Sequence, residues 1–263
     1  MARRKIIDII NSCSEDSDIS DKFVLDVKSA ISRYDKRNAR KGSNYYKPSS
    51  MNCLRLMYFI RTEAQDDDGF KDSELIGMAD TGTKRHESIQ TVLSNMKEMG
   101  YDWEYVDVAE YIKQKQAQKK CEGLVVSGKS GNETHLVDNN LKVSFLCDGI
   151  LRYVPDDTYY LFEMKNVVSF KFNKVMQEPL EQHKRQVECY CALLDLDNVL
   201  MLYENRDICQ LKCVSYTVSQ EMKESIISRL VECEEYVKAS IIPPKDSEDC
   251  QYCSFKSACS KVS

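Results

Sequence analysis

The sequence is poor in several residues that mark common classes of protein. It has three histidines, five prolines, nine glycines and one tryptophan in 263 residues, with no internal repeat and no low-complexity segment. No apolar run approaches the ~20 residues that span a membrane. The apolar stretch near the start is short and is interrupted by Asp8, unlike a secretory signal. These absences predict a protein of the reducing cytoplasm with no membrane association.

The remaining composition is that of an ordinary folded protein. Hydrophobic residues make up 42% and charged residues 30% of the chain, enough for one large domain or two small ones. The net charge of -5 argues weakly against a large non-specific nucleic-acid surface. Two local groups of basic residues still leave room for a basic groove, one in residues 33–47 and one in residues 165–185.

Cysteine is the residue that the chain has in excess, with twelve in total. The tail reads C-x2-C-x5-C, and three thiols so close together suit one metal centre. A distant cysteine can supply the fourth ligand if the fold joins both ends of the chain, and zinc and an iron–sulfur cluster fit four thiolates equally well. The predicted ligands are Cys53, Cys250, Cys253 and Cys259. Other cysteines lie in apolar segments and are predicted to be small buried hydrophobic residues: Cys189, Cys191, Cys209 and Cys213.

The hydrophobic pattern predicts an α/β or α+β fold with helices before and after a central β region. Predicted helices cover residues 21–37, 51–61, 71–99, 178–194 and 220–239. Cys53 is predicted in the first turn of the second helix, and a break near Gly82 is an alternative within the third. Predicted strands cover residues 141–147, 150–154, 158–165, 199–203 and 208–216. Residues 127–132 predict a turn, and residues 101–126 are ambiguous.

The central strands carry a pattern that suits phosphodiester hydrolysis. Glu163 and Lys165 lie two apart in a predicted strand and therefore share a face, with Met164 on the opposite face. The hairpin before them can bring Asp148 close to Glu163, and a divalent cation relieves the repulsion between two carboxylates. A neighbouring lysine can stabilise negative charge or act on a water. By itself this spacing is more typical of an exposed structural strand edge.

Other candidate residues lie on predicted helices. His86 is one of three histidines and can act as a third protein ligand to a metal, although a lone helical histidine is usually structural. Gln186 and Tyr190 are four residues apart and share one helical face. A glutamine can orient a water or phosphate, and a tyrosine can hydrogen-bond or stack on a base. In isolation this pair is also typical of a polar helix face.

These motifs in this order resemble the RecB-like branch of the PD-(D/E)XK nuclease superfamily. With Cys53 before them and the cysteine tail after them, the chain looks like the iron–sulfur members, which include CRISPR-associated exonucleases of spacer acquisition, phage-borne relatives and the nuclease domain of AddB. The segment PSSMNCLRLMYF around Cys53 is also similar. The resemblance covers residues 47–259. It implies a restriction-endonuclease-like core in residues 41–263, closed by the cysteines, with residues 1–40 as a partly helical extension.

The resemblance also implies roles for individual residues. His86, Asp148, Glu163 and the Met164 carbonyl would hold Mg²⁺ or Mn²⁺, and Lys165 would act on the nucleophilic water. Gln186 and Tyr190 would support the site, and the four cysteines would bind a 4Fe–4S cluster. Such members are DNA exonucleases that prefer single-stranded ends. Two alternatives stay open: an assembly or nucleic-acid-binding subunit that acts through a partner, for which residues 1–40 are the candidate contact, and a zinc-stapled protein.

Overall fold

The structure is a computed structural model that describes residues 19–38, 43–64, 73–247, 250 and 253–262. The chain divides into two compact units, one formed by Met1–Lys41 with Gly69–Thr81 and the other by Gly42–Asp68 with Gly82–Ser263. In the first unit, helix α1 is Ile19–Asn38, and a salt bridge joins its Lys28 to Glu74. The predicted division of the chain into an extension and a nuclease domain stays a prediction.

The second unit contains the remaining elements. After a short 3-10 helix at Pro48–Ser50, its helices are α2 (Leu54–Arg61), α3 (Ser73–Asn95, which begins in the first unit), α4 (Val108–Ala117), α5 (Ser169–Phe172), α6 (Glu181–Leu194), α7 (Gln220–Ala239) and α8 (Lys256–Cys259). Its strands are β1 (Trp103–Val106), β2 (Leu124–Ser130), β3 (Glu133–Asp138), β4 (Val143–Cys147), β5 (Gly149–Tyr153), β6 (Thr158–Val167), β7 (Asn198–Asn205) and β8 (Gln210–Thr217). No helix among the described residues is long and apolar enough to cross a membrane.

The strands form two sheets. The central sheet has the order β1-β5-β6-β7-β8 and is mixed, because β6 and β7 run parallel while the other neighbours are antiparallel. The second sheet, β2-β3-β4, is antiparallel. A parallel pair needs a crossover connection, which α5 and α6 supply between β6 and β7. A mixed α/β fold with a central sheet flanked by helices is thus confirmed.

Both faces of the central sheet are covered. On one face α6 and α7 bury apolar side chains such as Val187 and Leu230 in the main core. On the other face, Ile89 and Leu93 of α3 pack against Leu151, Phe162 and Met164. Each fully buried aliphatic or aromatic side chain contributes about 1.5–3 kcal/mol of transfer free energy. The strand that carries Glu163 is therefore held between two packed layers.

Several local expectations differ from the structure. The helix predicted from residue 51 begins at Leu54, and Cys53 is its N-cap, where the thiol accepts a hydrogen bond from Leu56 N. The preceding 3-10 helix accounts for the shift. Helix α3 runs through Gly82 without a break. Cys209 and Cys213 are exposed rather than buried, because they lie at the turn and on the outer face of β8, the edge strand.

The turn predicted over residues 127–132 is wrong for most of its length. Residues as far as Ser130 belong to β2, and the chain turns only at Gly131 and Asn132. The strand has no clear apolar alternation because Val125 to Lys129 are exposed at the edge of the small sheet. A bulge between Val126 and Gly128 further disturbs the periodicity.

Candidate metal-dependent active site

Asp148 lies in the one-residue break between β4 and β5. Its carboxylate Oδ2 accepts a hydrogen bond from Met164 N at 2.9 Å, which ties it to the neighbouring strand β6. Its carbonyl oxygen accepts from Gln90 Nε2 at 2.8 Å and from the Tyr105 hydroxyl at 2.6 Å. The next residue is Gly149, where a Cβ atom would lie 2.6 Å from the Tyr105 ring. The glycine therefore permits the close approach of Tyr105 that fixes the Asp148 backbone.

Two further side chains converge on Asp148. His86 Nδ1, on α3, lies 3.4 Å from Asp148 Oδ2 and 3.9 Å from Oε1 of Glu133. Glu133 is the first residue of β3. One ligand atom from each of the three residues lies within 4.8 Å of the others, a spacing that permits them to hold one metal ion. The sequence prediction brought His86 and Asp148 together but missed Glu133.

The pairing of β3 with β4 explains how Glu133 reaches this position. Thr134 is opposite Cys147 in the antiparallel ladder, which places Glu133 level with Asp148. The only sequence signal for this contact is the turn before Glu133, because a strand after that turn pairs back onto β4. A turn was predicted there, but without the preceding strand β2 it did not indicate a hairpin or a strand that begins at Glu133.

Glu163 and Lys165 form an ion pair on β6. Lys165 Nζ lies 2.6 Å from Glu163 Oε1, and the same oxygen accepts from Gln186 Nε2 at 2.9 Å. Gln186 Nε2 also lies 2.9 Å from the Tyr190 hydroxyl, so the two predicted residues of α6 do meet Glu163 as a unit. Glu163 is only 2% exposed, and its Oε2 has no hydrogen-bond partner among the described residues. A buried carboxylate oxygen without a partner suits a cation as its missing neighbour.

The charges of this group perturb one another. Burial, and then the charge of Asp148, raise the pKa of the Glu163 carboxyl to about 7. Burial and Asp148 likewise raise the pKa of Glu133. Burial lowers the pKa of His86, but the hydrogen bond and charge of Asp148 outweigh it, and the net pKa is raised. For Lys165 the effect of burial is outweighed by Glu163, so its pKa is also raised and the ammonium is retained.

This donor set fits a hard divalent cation. Carboxylate oxygens are the ligands that Mg²⁺ and Mn²⁺ prefer, and an imidazole is compatible with Mn²⁺. We call His86, Glu133, Asp148, Glu163 and Lys165 together the candidate active site. Burial and then the repulsion from Asp148 raise the pKa values of Glu133 and Glu163, and a bound cation would relieve the repulsion. The Met164 side chain points into the opposite layer, so only its backbone faces Asp148.

The four predicted cysteine ligands line one cavity of about 290 Å³, which we call the cysteine cavity. Arg55 also lines it and donates from Nη1 to the Cys259 sulfur at 3.5 Å. A set of four thiols fits either a zinc ion or an iron–sulfur cluster. The predicted ligands that line the cavity are Cys53, Cys250, Cys253 and Cys259.

Contacts from the protein itself hold the tail against α2. Asp246 accepts a hydrogen bond from Leu54 N at 2.8 Å, and Arg55 Nε donates to the Pro243 carbonyl at 3.0 Å. Phe255 stacks on Phe59 with ring centroids 5.7 Å apart. The segment after α7 thus returns to the beginning of α2, as the cysteine spacing predicted.

The chain also contains a sequence pattern typical of phosphate-binding loops, but the structure does not form such a loop there. Residues 123–130 read G-x4-G-K-S, which is typical of a phosphate-binding loop between a strand and a helix. Here Leu124–Ser130 is strand β2, and the chain turns into β3 instead of a helix. The backbone N–H groups of β2 that pair with β3 cannot cradle a phosphate.

Three of the solved structures that resemble this chain are described here, all at low sequence identity. No protein-family model and no curated protein matches the chain. The crystal structure of SSO0001 is 15% identical, with a TM-score of 0.46, over 89% of this chain and 96% of that chain. LHK-Exo in complex with dAMP is 13% identical (TM-score 0.42), and the alkaline exonuclease LHK-Exo from Laribacter hongkongensis is 11% identical (TM-score 0.39), each over 75% of this chain and 89% of that chain.

Proposed function

We propose that this chain is a divalent-metal-dependent deoxyribonuclease of the PD-(D/E)XK type. The observation that carries the proposal is the convergence of His86, Glu133 and Asp148 within 4.8 Å, beside the buried ion pair of Glu163 and Lys165. An exposed structural strand edge, the other interpretation of the sequence, does not account for a carboxylate that is 98% buried with one oxygen unpartnered. Hydrolysis of a phosphodiester needs both a cation site and a positioned water, and this group offers residues for each.

The roles of the residues follow from their contacts. Mg²⁺ or Mn²⁺ held by His86, Glu133, Asp148 and Glu163 would screen the phosphate charge and lower the pKa of a water. The Met164 N–H fixes the Asp148 carboxylate, and Gln186 fixes Glu163. Because its pKa is raised, Lys165 remains protonated, so it orients the water and stabilises the negative charge that develops on the phosphate.

The finer proposal concerns the substrate and biological role. By the resemblance of its motifs, the enzyme is an exonuclease that prefers single-stranded DNA ends. It would act in DNA recombination or repair, in processing of phage DNA or in CRISPR spacer acquisition. Gln186 and Tyr190 would support the strand as well as Glu163.

The cysteine cavity is the proposed site of a structural 4Fe–4S cluster. All four thiols line it, and four cysteine thiolates are the usual ligand set of such a cluster. Arg55 Nη1 donates a hydrogen bond to the Cys259 sulfur at 3.5 Å, a contact that a cluster-bound sulfur can also accept. Protein purified without air should absorb near ~400 nm and contain iron. A colourless protein with stoichiometric zinc would instead favour the zinc alternative.

Hydrolysis is tested with single-stranded oligonucleotides labelled at either the 5′ or the 3′ end. The wild type should degrade them with Mg²⁺ or Mn²⁺ and should be inactive in EDTA, and the order in which label is released gives the polarity. Lys165→Ala should be inactive, whereas Lys113→Ala, an exposed lysine on α4, should retain activity. If protein with an intact cysteine-bound group cuts no DNA with either metal, the nuclease proposal fails.

A second candidate function is assembly with a protein partner through residues 1–40. It is favoured by the exposure of several large apolar residues on α1, which are Ile19, Phe23, Val24 and Tyr34. Light scattering of the full chain and of a variant lacking residues 1–40 tests self-association as one form of this role. If the two proteins have the same number of chains per particle and the same activity, residues 1–40 have no role in self-association.

A further inference from the structure

A second cavity lies where the connection from the catalytic strand meets α6. Its volume is about 620 Å³, and its lining includes Phe170, Lys171, Lys174, Gln182 and Arg185. We call it the basic cavity. None of the residues of the candidate active site lines it, so it is a separate place on the same unit.

The acidic residues in the lining are already engaged. Glu181 pairs with Lys184 at 2.6 Å, and Lys184 also pairs with Glu178 at 2.7 Å. Glu188 accepts a hydrogen bond from the Tyr216 hydroxyl at 2.9 Å. The hydroxyl leaves Glu188 charged, but the lining still has four cationic residues against two carboxylates, Glu181 and Glu188.

Three cations of the lining are not engaged by carboxylates. Lys171, Lys174 and Arg185 form no ion pair among the described residues. Lys171 Nζ lies 3.3 Å from the Gln182 side-chain oxygen, and Arg185 Nη1 donates to the Met51 carbonyl at 3.1 Å, so each keeps further donors. A concave surface with surplus positive charge attracts a polyanion.

The basic cavity also has an exposed aromatic ring. Phe170 is 71% exposed, and Lys174 Nζ lies 4.1 Å from its ring centroid. The lysine steadies the ring through a cation–π contact. Exposed aromatic rings beside basic side chains are the platform on which the bases of a single strand stack, while the cations track its phosphates.

The chain path connects this cavity to the candidate active site. Phe170 follows Lys165 by five residues, a span of at most about 18 Å even if fully extended. On the other wall, α6 carries Gln186, which contacts Glu163, one residue after Arg185 of the cavity lining. A strand whose phosphate lies at Glu163 and Lys165 therefore reaches the basic cavity within a few nucleotides.

We propose that the basic cavity is a binding subsite for single-stranded DNA next to the scissile phosphate. Lys171, Lys174 and Arg185 bind backbone phosphates, and a base stacks on Phe170. The inference rests on the proposed nuclease function for the identity of the ligand, but it concerns binding and not the hydrolytic step.

The test is binding of a fluorescent single-stranded oligonucleotide in EDTA, measured by anisotropy at several salt concentrations. Lys174→Gln removes one phosphate contact, and the slope of log K against log salt should fall in magnitude by about 0.7. Phe170→Ala should weaken binding about tenfold with no change of slope, since it removes stacking and no charge. Lys113→Gln and Tyr101→Ala, an exposed lysine and an exposed aromatic on other elements, are the matched controls.

The outcomes separate this subsite from the nuclease proposal. If both variants bind with the affinity and salt slope of their controls, the subsite is refuted even when DNA is hydrolysed. If the wild type binds, the two variants lose binding as described and no hydrolysis is found, the subsite stands and the nuclease proposal falls. If the wild type does not bind single-stranded DNA, the subsite is likewise refuted.

Discussion

The candidate active site and the cysteine cavity are built on different kinds of backbone. Glu163 and Lys165 lie on β6, which pairs with a strand on each side and is packed on both faces. Of the cysteine ligands, Cys250 and Cys253 lie outside regular structure, and Cys259 ends the single turn α8. Strand pairing and packing on both faces thus arrange the first region, whereas individual hydrogen bonds and one ring stack hold the second against α2.

This difference indicates how each region depends on what it binds. Hydrogen bonds within the protein hold Asp148 and Glu163 in place, so the proposed cation would have mainly to relieve their repulsion. Two of the four thiols, Cys250 and Cys253, lie outside regular structure, so a bound group would contribute more to holding them in place. Substitution of a functional side chain should therefore lower the rate of hydrolysis in the candidate active site, and lower the melting temperature in the cysteine cavity.

The largest expected effect is on hydrolysis. Lys165→Ala should lower the rate of DNA cleavage by about 10²–10⁴-fold, the usual contribution of a positioned proton-transfer or charge-stabilising group. Because β6 stays paired and packed, circular dichroism should be unchanged. A variant that unfolds, or one that keeps a rate within tenfold of wild type, would contradict a preorganised site.

The next effect is on the cysteine cavity. Cys253→Ser should lose the ~400 nm absorbance and lower the melting temperature by about 5–10 °C, as loss of a tightly bound group does in a domain of this size. Cys209→Ser replaces an exposed cysteine on another element and should change neither property. Equal effects of the two substitutions would show that the cavity thiols have no special role.

A smaller effect is expected for the carboxylate that the sequence did not reveal. Glu133→Gln should weaken Mn²⁺ binding about tenfold or more by titration calorimetry, since it removes one charged donor from the His86, Glu133 and Asp148 group. Glu122→Gln, an exposed residue before β2, is the control. Unchanged affinity in Glu133→Gln would remove Glu133 from the proposed ligands.

The smallest effect is on the pH dependence of stability without metal. Folding raises the pKa of Glu163 from 4.5 to about 7, so the folded state retains a proton that the unfolded state has released. Stability from this group is therefore present below pH 4.5 and is lost as the pH rises to 7. Melting temperatures in EDTA should fall between pH 5 and pH 8 by a larger amount in wild type than in Glu163→Gln. A parallel decline in both proteins would disprove this origin.

The sequence predicted the parts of the fold in which one face is clearly buried. Strands β4 to β6 and helix α7 were found close to their observed bounds, because alternation or helical spacing of apolar residues is strong there. The sequence left β1 and α4 undecided, predicted a turn over most of β2 and did not predict β3, because these segments have mixed polarity and exposed edges. Glu133 was lost with them.

The site was predictable to the same extent. Asp148, Glu163 and Lys165 share a hairpin, and local spacing was enough to group them. Contacts that depend on long-range register were not accessible, such as Gln90 and Tyr105 on the Asp148 carbonyl, since nothing local in the sequence relates them to β4. The basic residues of the 165–185 segment were noticed only as a cluster, and the exposed Phe170 among them gave no signal.

The position of the three clustered cysteines after α7 has a consequence for biosynthesis. The central sheet, α6 and α7 are all complete by Ala239, before Cys250 is added to the growing chain. Because domains fold as they emerge during synthesis, the candidate active site is able to form while Cys53 is still without its partners. Insertion of the proposed 4Fe–4S cluster would thus be a late maturation step, and it would depend on the folded body to present Cys53 to the tail.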